Sequence, residues 1–164
     1  KDLVNSQSQS IKIKKQLEKI IPLLKSKTPV FVAAEHLSGL LPLMQNQVHE
    51  TAKNFACHFV LPNLNHHLLE GLLEPKAVTK NLSFIVFTSD LYSARNILRT
   101  KITNQVIKKQ TVSSFVVKVG GQNKATQVFA LLSVCGLLSL GLAKSNKVDP
   151  TIVPWVDYFK KALR

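Results

Sequence analysis

Three short stretches carry side chains of the kinds that move protons or hold anions. His49-Glu50-Thr51-Ala52-Lys53 sets a carboxylate and an ammonium three residues apart, the spacing of neighbours on one helix face. A carboxylate so placed can act as a general base, and a plain surface ion pair accounts for the same spacing without chemistry. Pro62-Asn63-Leu64-Asn65-His66-His67 follows directly on an apolar run. Histidine exchanges protons near neutral pH, and loops beyond the carboxyl ends of parallel strands are where α/β proteins bind ligands. Tandem histidines also suit a metal, but only His36, His49 and His58 remain and no cysteine motif accompanies them, so we expect no metal site. Lys160-Lys161 near the carboxyl end reads, by itself, as an ordinary cationic helix terminus.

The elements that must position these groups alternate in type. Ile11, Ile13, Leu17, Ile20, Ile21 and Leu24 fall on one face of a helix from Ile11 to Leu24. The runs Val30–Ala34, Cys57–Leu61, Leu82–Thr88 and Thr111–Val119 read as strands, near-continuously apolar as burial on both faces requires. Between and after them lie helices over Leu40–Phe55, His66–Leu73, Leu91–Lys109 (capped by Ser89-Asp90), Lys124–Ala143 and Pro154–Leu163. Strand and helix in alternation mean crossover connections. The predicted fold is an α/β three-layer sandwich, a mainly parallel sheet of four to five strands with helices on both faces. Residues 1–10, with the polar Ser6–Ser10, read as a linker or tail, and 11–164 as a single domain.

Composition narrows the function classes. Twenty-two Lys and Arg against nine Asp and Glu give a net charge of +13, which attracts anionic ligands. The basic residues are scattered and one Trp and two Tyr leave little to stack on bases, so we expect no nucleic-acid partner. The uncharged run Val128–Ala143 is 16 residues, short of the ~20 that span a bilayer, and reads as a core helix rather than a membrane span. Cys57 and Cys135 lie far apart, as free thiols in a reducing cytoplasm do. The chain opens on Lys1 without the order of a signal peptide, which we read as a trimmed piece of a longer protein.

Glu50 and His66, separated by one strand, resemble the arrangement of the sugar-isomerase (SIS) domains, the glutamine-dependent glucosamine-phosphate synthases among them. A closer resemblance is to the bifunctional phosphoglucose/phosphomannose isomerase family, in its C-terminal SIS domain. His49-Glu50-Thr51-Ala52-Lys53 stands where that family has Asn-Glu-Asn-Ala-Lys. Pro62-Asn63-Leu64-Asn65-His66-His67-Leu68, then Gly71-Leu72, is similar to its Pro-Glu-Leu-Asn-His-Asn-Glu and Gly-Trp. Val148-Asp149-Pro150-Thr151 and Phe159-Lys160 resemble its closing segment. The departures are His49, Asn63, His67, Leu68 and Leu72 in place of Asn, an acid, Asn, Glu and Trp.

The resemblance implies an aldose–ketose isomerase interconverting glucose-6-phosphate, and mannose-6-phosphate, with fructose-6-phosphate through an enediolate. It implies Glu50 as base, His66 as the ring-opening residue and Lys160 as a substrate-contacting cation, with Lys53, Asn65 and His67 binding substrate. It implies no cofactor, an N-terminal SIS half that holds the phosphate, and a homodimer in which His66 serves the partner's site. The same resemblance admits a non-catalytic phosphosugar-binding regulatory domain. As a C-terminal half, the isolated chain is expected to fold without turning over.

Overall fold

The computed structural model describes residues 2–163, and of residues 2–4 the backbone alone. Four strands form one sheet: β1 (Thr28–Ala34), β2 (Cys57–Leu61), β3 (Leu82–Thr88) and β4 (Ser113–Lys118). Their order is β2-β1-β3-β4 and every pairing is parallel. Val30 sits opposite Cys57 on one side and Phe84 on the other. The four strands are the ones the apolar runs predict, and their parallel order follows from the helices between them. β1 and β3 are buried nearly end to end, as central strands covered on both faces must be.

The helices are α1 (Asp2–Ile20), α2 (Leu41–Ala52), α3 (Leu64–Gly71), α4 (Lys76–Thr79), α5 (Ala94–Lys109), α6 (Lys124–Asn146) and α7 (Pro154–Ala162). α6 packs between α1 and α2 in one layer, whereas α3 and α5 pack together against β2 and its neighbours. α6 buries Ala130, Leu131, Val134, Cys135, Leu138 and Leu142. Among the described residues it alone is long and apolar enough to cross a membrane, yet half of its apolar window is buried in the domain. It is a core helix.

Several boundaries differ from the sequence-based expectation, and three of the differences have a visible cause. Ser6–Ser10 is helix, not linker: Ser6 is buried, and the Ser10 hydroxyl lies 2.6 Å from that of Ser133. Small polar side chains there let α1 lie close to α6. Helix α5 starts at Ala94, with Ser93 rather than Ser89-Asp90 as its cap. Helix α2 ends at Ala52 because Lys53 turns left-handed, at φ 51°. A 3₁₀ segment, Glu35–Leu40, leads into it.

Candidate functional site

Asn46, His49, Glu50 and Lys53 follow one another at helical spacing along the last two turns of α2 and its cap. That end of α2 is fixed to the start of the sheet. The His49 Nε2 accepts the Ala56 N–H at 3.0 Å, just before β2, and its ring stacks on Phe55. Asn54 donates its side-chain amide to the Lys27 carbonyl before β1, at 3.1 Å. Asn146, the last residue of α6, donates to the Ala52 carbonyl at 3.1 Å. The α2 terminus, the α6 terminus and the amino-terminal ends of β1 and β2 thus meet at one place.

From there the chain runs through Val148–Thr151 into α7. The Asp149 carboxylate accepts both the Thr151 N–H (2.8 Å) and the Thr151 hydroxyl (2.6 Å), which closes a tight Asx turn. Those two bonds, hydroxyl first, hold the Asp149 carboxyl below its usual range, and the nearby Lys53 charge adds to the effect. The turn aims α7 back across the end of α2. A cavity of about 450 Å³ forms between them, lined by Asn46, His49, Glu50, Lys53 and Lys160 with a wall of Val153, Pro154, Trp155 and Val156.

The Glu50 carboxylate is not consumed by its neighbour. Lys53 donates its ammonium to the main-chain carbonyl of Glu50, and the ion pairs among the described residues are Lys14–Glu18 and Lys118–Asp90. Glu50, Lys53 and Lys160 therefore face the cavity with exposed head groups. Such a site can hold an anionic, hydroxylated ligand between two cations and offer it a base.

The structure does not bring His66 to this cavity. Glu50 lies beside the start of β2, and His66 lies beyond its end, on the first turn of α3. The length of β2, roughly 15 Å, separates them. Asn65 donates its amide to the Thr103 hydroxyl at 2.6 Å and so ties α3 to α5, with its Oδ1 unpartnered. His66 and His67 are exposed, and the His67 ring meets Phe59 at 6.2 Å. Sequence reasoning missed Asn46, Trp155 and the rest of the wall. Asn46 was legible as the residue one turn before Glu50, whereas the wall depends on where the Asp149 turn sends α7. Among the described residues, no three His, Cys, Asp or Glu side chains converge as a metal site would require.

Residues 13–163 match the bacterial phospho-glucose isomerase C-terminal SIS domain. The chain belongs to that family. Its relatives include the bifunctional phosphoglucose/phosphomannose isomerase of Caldicellulosiruptor bescii, 27% identical over 119 residues, covering 73% of this chain and 35% of that protein. The enzyme of the same name from Pyrobaculum aerophilum is 27% identical over 143 residues, covering 84% and 41%. The chain thus spans well under half the length of these curated relatives. Among solved structures, a glucose-6-phosphate isomerase like protein from Thermus thermophilus superposes with a TM-score of 0.72 at 16% identity, over 91% of this chain and 54% of that one. A putative phosphosugar isomerase from Clostridium difficile gives 0.73 at 13% identity, over 95% and 45%. The SIS fold is shared with both.

Proposed function

We propose that this SIS domain is the C-terminal catalytic half of an aldose–ketose isomerase that interconverts glucose-6-phosphate, and mannose-6-phosphate, with fructose-6-phosphate. The observation that carries it is the shared cavity of Glu50, Lys53 and Lys160, in which the Glu50 carboxylate is not ion-paired to Lys53. Glu50 takes the proton from C2 of the open-chain aldose and returns it to C1, while the O2 hydroxyl proton passes to O1, which leaves the ketose. The electron pair released at C2 passes through the enediolate, whose negative oxygen Lys160 neutralises. Lys53 holds the substrate from the other side of Glu50. His66 protonates the ring oxygen to open the sugar, with Asn65 and His67 beside it at the substrate. The proton transfer asks for no metal or organic cofactor.

Two parts come from elsewhere. In this reading the phosphate is held by a preceding SIS half, in keeping with curated relatives more than twice as long as the matched segment. The uncovered apolar side chains of α7, with Trp155 82% and Phe159 61% exposed, are the surface that such a half would cover. His66 comes from the partner in a homodimer, which accords with its distance from Glu50 within one chain. Both cysteines are free thiols, in keeping with a reducing, cytoplasmic setting.

The test is turnover of fructose-6-phosphate by the full-length protein and by residues 1–164 alone. We expect activity from the first and none from the second, since a substrate without its phosphate anchor loses the orientation on which rate depends. Robust turnover by the isolated domain, or an inactive full-length protein that still binds the sugar phosphate, would contradict the proposal.

A further inference from the structure

A second pocket, of about 500 Å³, opens beside the Glu50 cavity, and Lys53 lines both. Lys25 and Lys147 complete its cations, with Ser26, Ser145, Asn54 and Asn146. The asparagines serve the scaffold: Asn146 donates to the Asn54 side-chain oxygen (3.3 Å) as well as to the Ala52 carbonyl. No carboxylate lines the pocket. Asp149, two residues past Lys147, accepts from Thr151 and lines the neighbouring hollow with Ile152 and Trp155. Cations often gather at helix ends to complement free carbonyls, but two features set these apart. Lys53 does bond a carbonyl, whereas the Lys25 and Lys147 ammonium groups have no hydrogen-bond or ion-pair partner among the described residues. The Ser26 and Ser145 hydroxyls are likewise unpartnered there, although Ser133 and Ser139 on the same helix as Ser145 donate to the Ala130 and Gly136 carbonyls. The second feature is the backbone. Of the five non-glycine residues at positive φ among the described residues, Ser26, Lys53 and Lys147 line this one pocket, at 58°, 51° and 57°. Glycine is the usual residue at such turns, and side chains kept there against the strain point to a use for them.

We propose that this pocket binds a small phosphorylated metabolite, at least a dianion, as an effector distinct from the substrate in the Glu50 cavity. Three ammonium groups and two free hydroxyls converge where no acid offsets them, and phosphate oxygens accept hydrogen bonds from both kinds of donor. A pocket of this volume suits a small molecule. The lining also differs from that of the Glu50 cavity, where Val153, Pro154, Trp155 and Val156 supply an apolar wall. Lys53 joins the two. An anion held by Lys25 and Lys147 draws the Lys53 ammonium toward itself, which weakens sugar-phosphate binding beside Glu50. By linkage, the sugar phosphate weakens the effector to the same degree. The binding site stands on its own lining, and this antagonism alone rests on the isomerase reading.

Inorganic pyrophosphate is the probe, with full-length protein at an ionic strength of about 0.15 M, where diffuse surface attraction is largely screened. Lysine acetylation read by mass spectrometry needs no variant. Pyrophosphate should protect Lys25 and Lys147 saturably and leave Lys108 and Lys109, exposed at the end of α5, as reactive as before. No protection overturns the proposal, and equal protection of Lys108 and Lys109 overturns it too, by showing only the general positive charge. In calorimetry, Lys25→Gln with Lys147→Gln should weaken pyrophosphate about tenfold or more at one site, with circular dichroism unaltered. An unchanged titration in that folded variant refutes the site. Kinetics test the antagonism. Pyrophosphate should raise the wild-type KM for fructose-6-phosphate without lowering kcat, and the double variant should lose most of that effect. Inhibition undiminished in the variant would place pyrophosphate at the substrate's own phosphate site and refute the antagonism, as would no inhibition of the wild type. Failure of the isomerase reading shows separately, as an inactive wild type in which Lys25 and Lys147 are still protected.

Discussion

The two ends of the sheet each carry a glutamate, and the two are used differently. At the carboxyl end, where β1 and β3 diverge and α/β ligand sites usually form, Glu35 accepts the Ser93 N–H and the Asn96 amide, both at 2.8 Å. Its carboxylate caps the amino terminus of α5, a place that favours an anion. Around it, Gln127 accepts from the Ser89 hydroxyl at 2.5 Å and contacts the His36 ring at 2.8 Å. The polar groups at that end largely satisfy one another, with the buried His36 Nδ1 left without a partner. At the amino end, Glu50, Lys53 and Lys160 surround a cavity, and the Glu50 carboxylate is left unpaired. In the reading proposed above, position at a strand's carboxyl terminus does not by itself mark the reactive group. The distinguishing feature proposed for Glu50 is a carboxylate whose hydrogen bonds have not already been spent.

The sharpest way to break this contrast is to neutralise each glutamate in the full-length protein. Glu50→Gln should lower isomerisation by ~10²–10⁴-fold and leave the melting temperature and hexose-phosphate binding almost unchanged. Glu35→Ala should do the reverse. It removes a cap from α5, which typically costs about 1 kcal/mol, seen as a lower denaturant midpoint with kcat retained in the folded fraction. A Glu35 variant that loses kcat without losing stability would erase the distinction.

Acidity separates the two ends further. The Asn96 amide, and then the Ser93 N–H, hold the Glu35 carboxyl below its ordinary value. A lowered folded-state pKa means that its contribution is complete above the ordinary carboxylate range and is lost as pH falls through the lowered value. Stability measured from pH 6 down toward pH 3 should decline less steeply in Glu35→Gln than in the wild type, by an amount small beside the loss of the cap itself.

Lys53 offers a prediction in which stability and activity part. Its left-handed backbone, φ 51°, disfavours a side chain. Lys53→Gly relieves that strain and should raise stability by up to about 1 kcal/mol, while KM for the sugar phosphate rises. Equal changes in both would mean that the lysine only ends the helix. The smallest effect is expected at Asp149. Asp149→Asn keeps the turn's shape but weakens its hold on Thr151, so KM should rise modestly through a less fixed Lys160, with unfolding little changed.

Much of the fold was legible because burial on both faces leaves a plain signature: Val30–Ala34 and Leu82–Thr88 are runs no surface element would carry. Ser6–Ser10 was not, because its reason for being helical is Ser133 and Ala130, more than a hundred residues away. The start of α5 was misread for a like reason, since Glu35 shares with Ser93 the capping of that helix. At the site, the spacing of Glu50 and Lys53 was visible in the sequence. That Lys53 bonds a carbonyl rather than the carboxylate was not, since it follows from the left-handed turn at Lys53. The strand between Glu50 and His66 already implied opposite ends of the sheet, given a helix running antiparallel to it.

The most direct test of the central claim follows the proton on C2. Full-length wild-type protein incubated with glucose-6-phosphate in deuterated water should wash that proton out, observable by NMR, as an enediolate forms and is reprotonated. In Glu50→Gln, which keeps the shape of the side chain and loses its basicity, we expect the hexose phosphate to bind and the proton to stay. Exchange at the wild-type rate in that variant would mean that Glu50 is not the base.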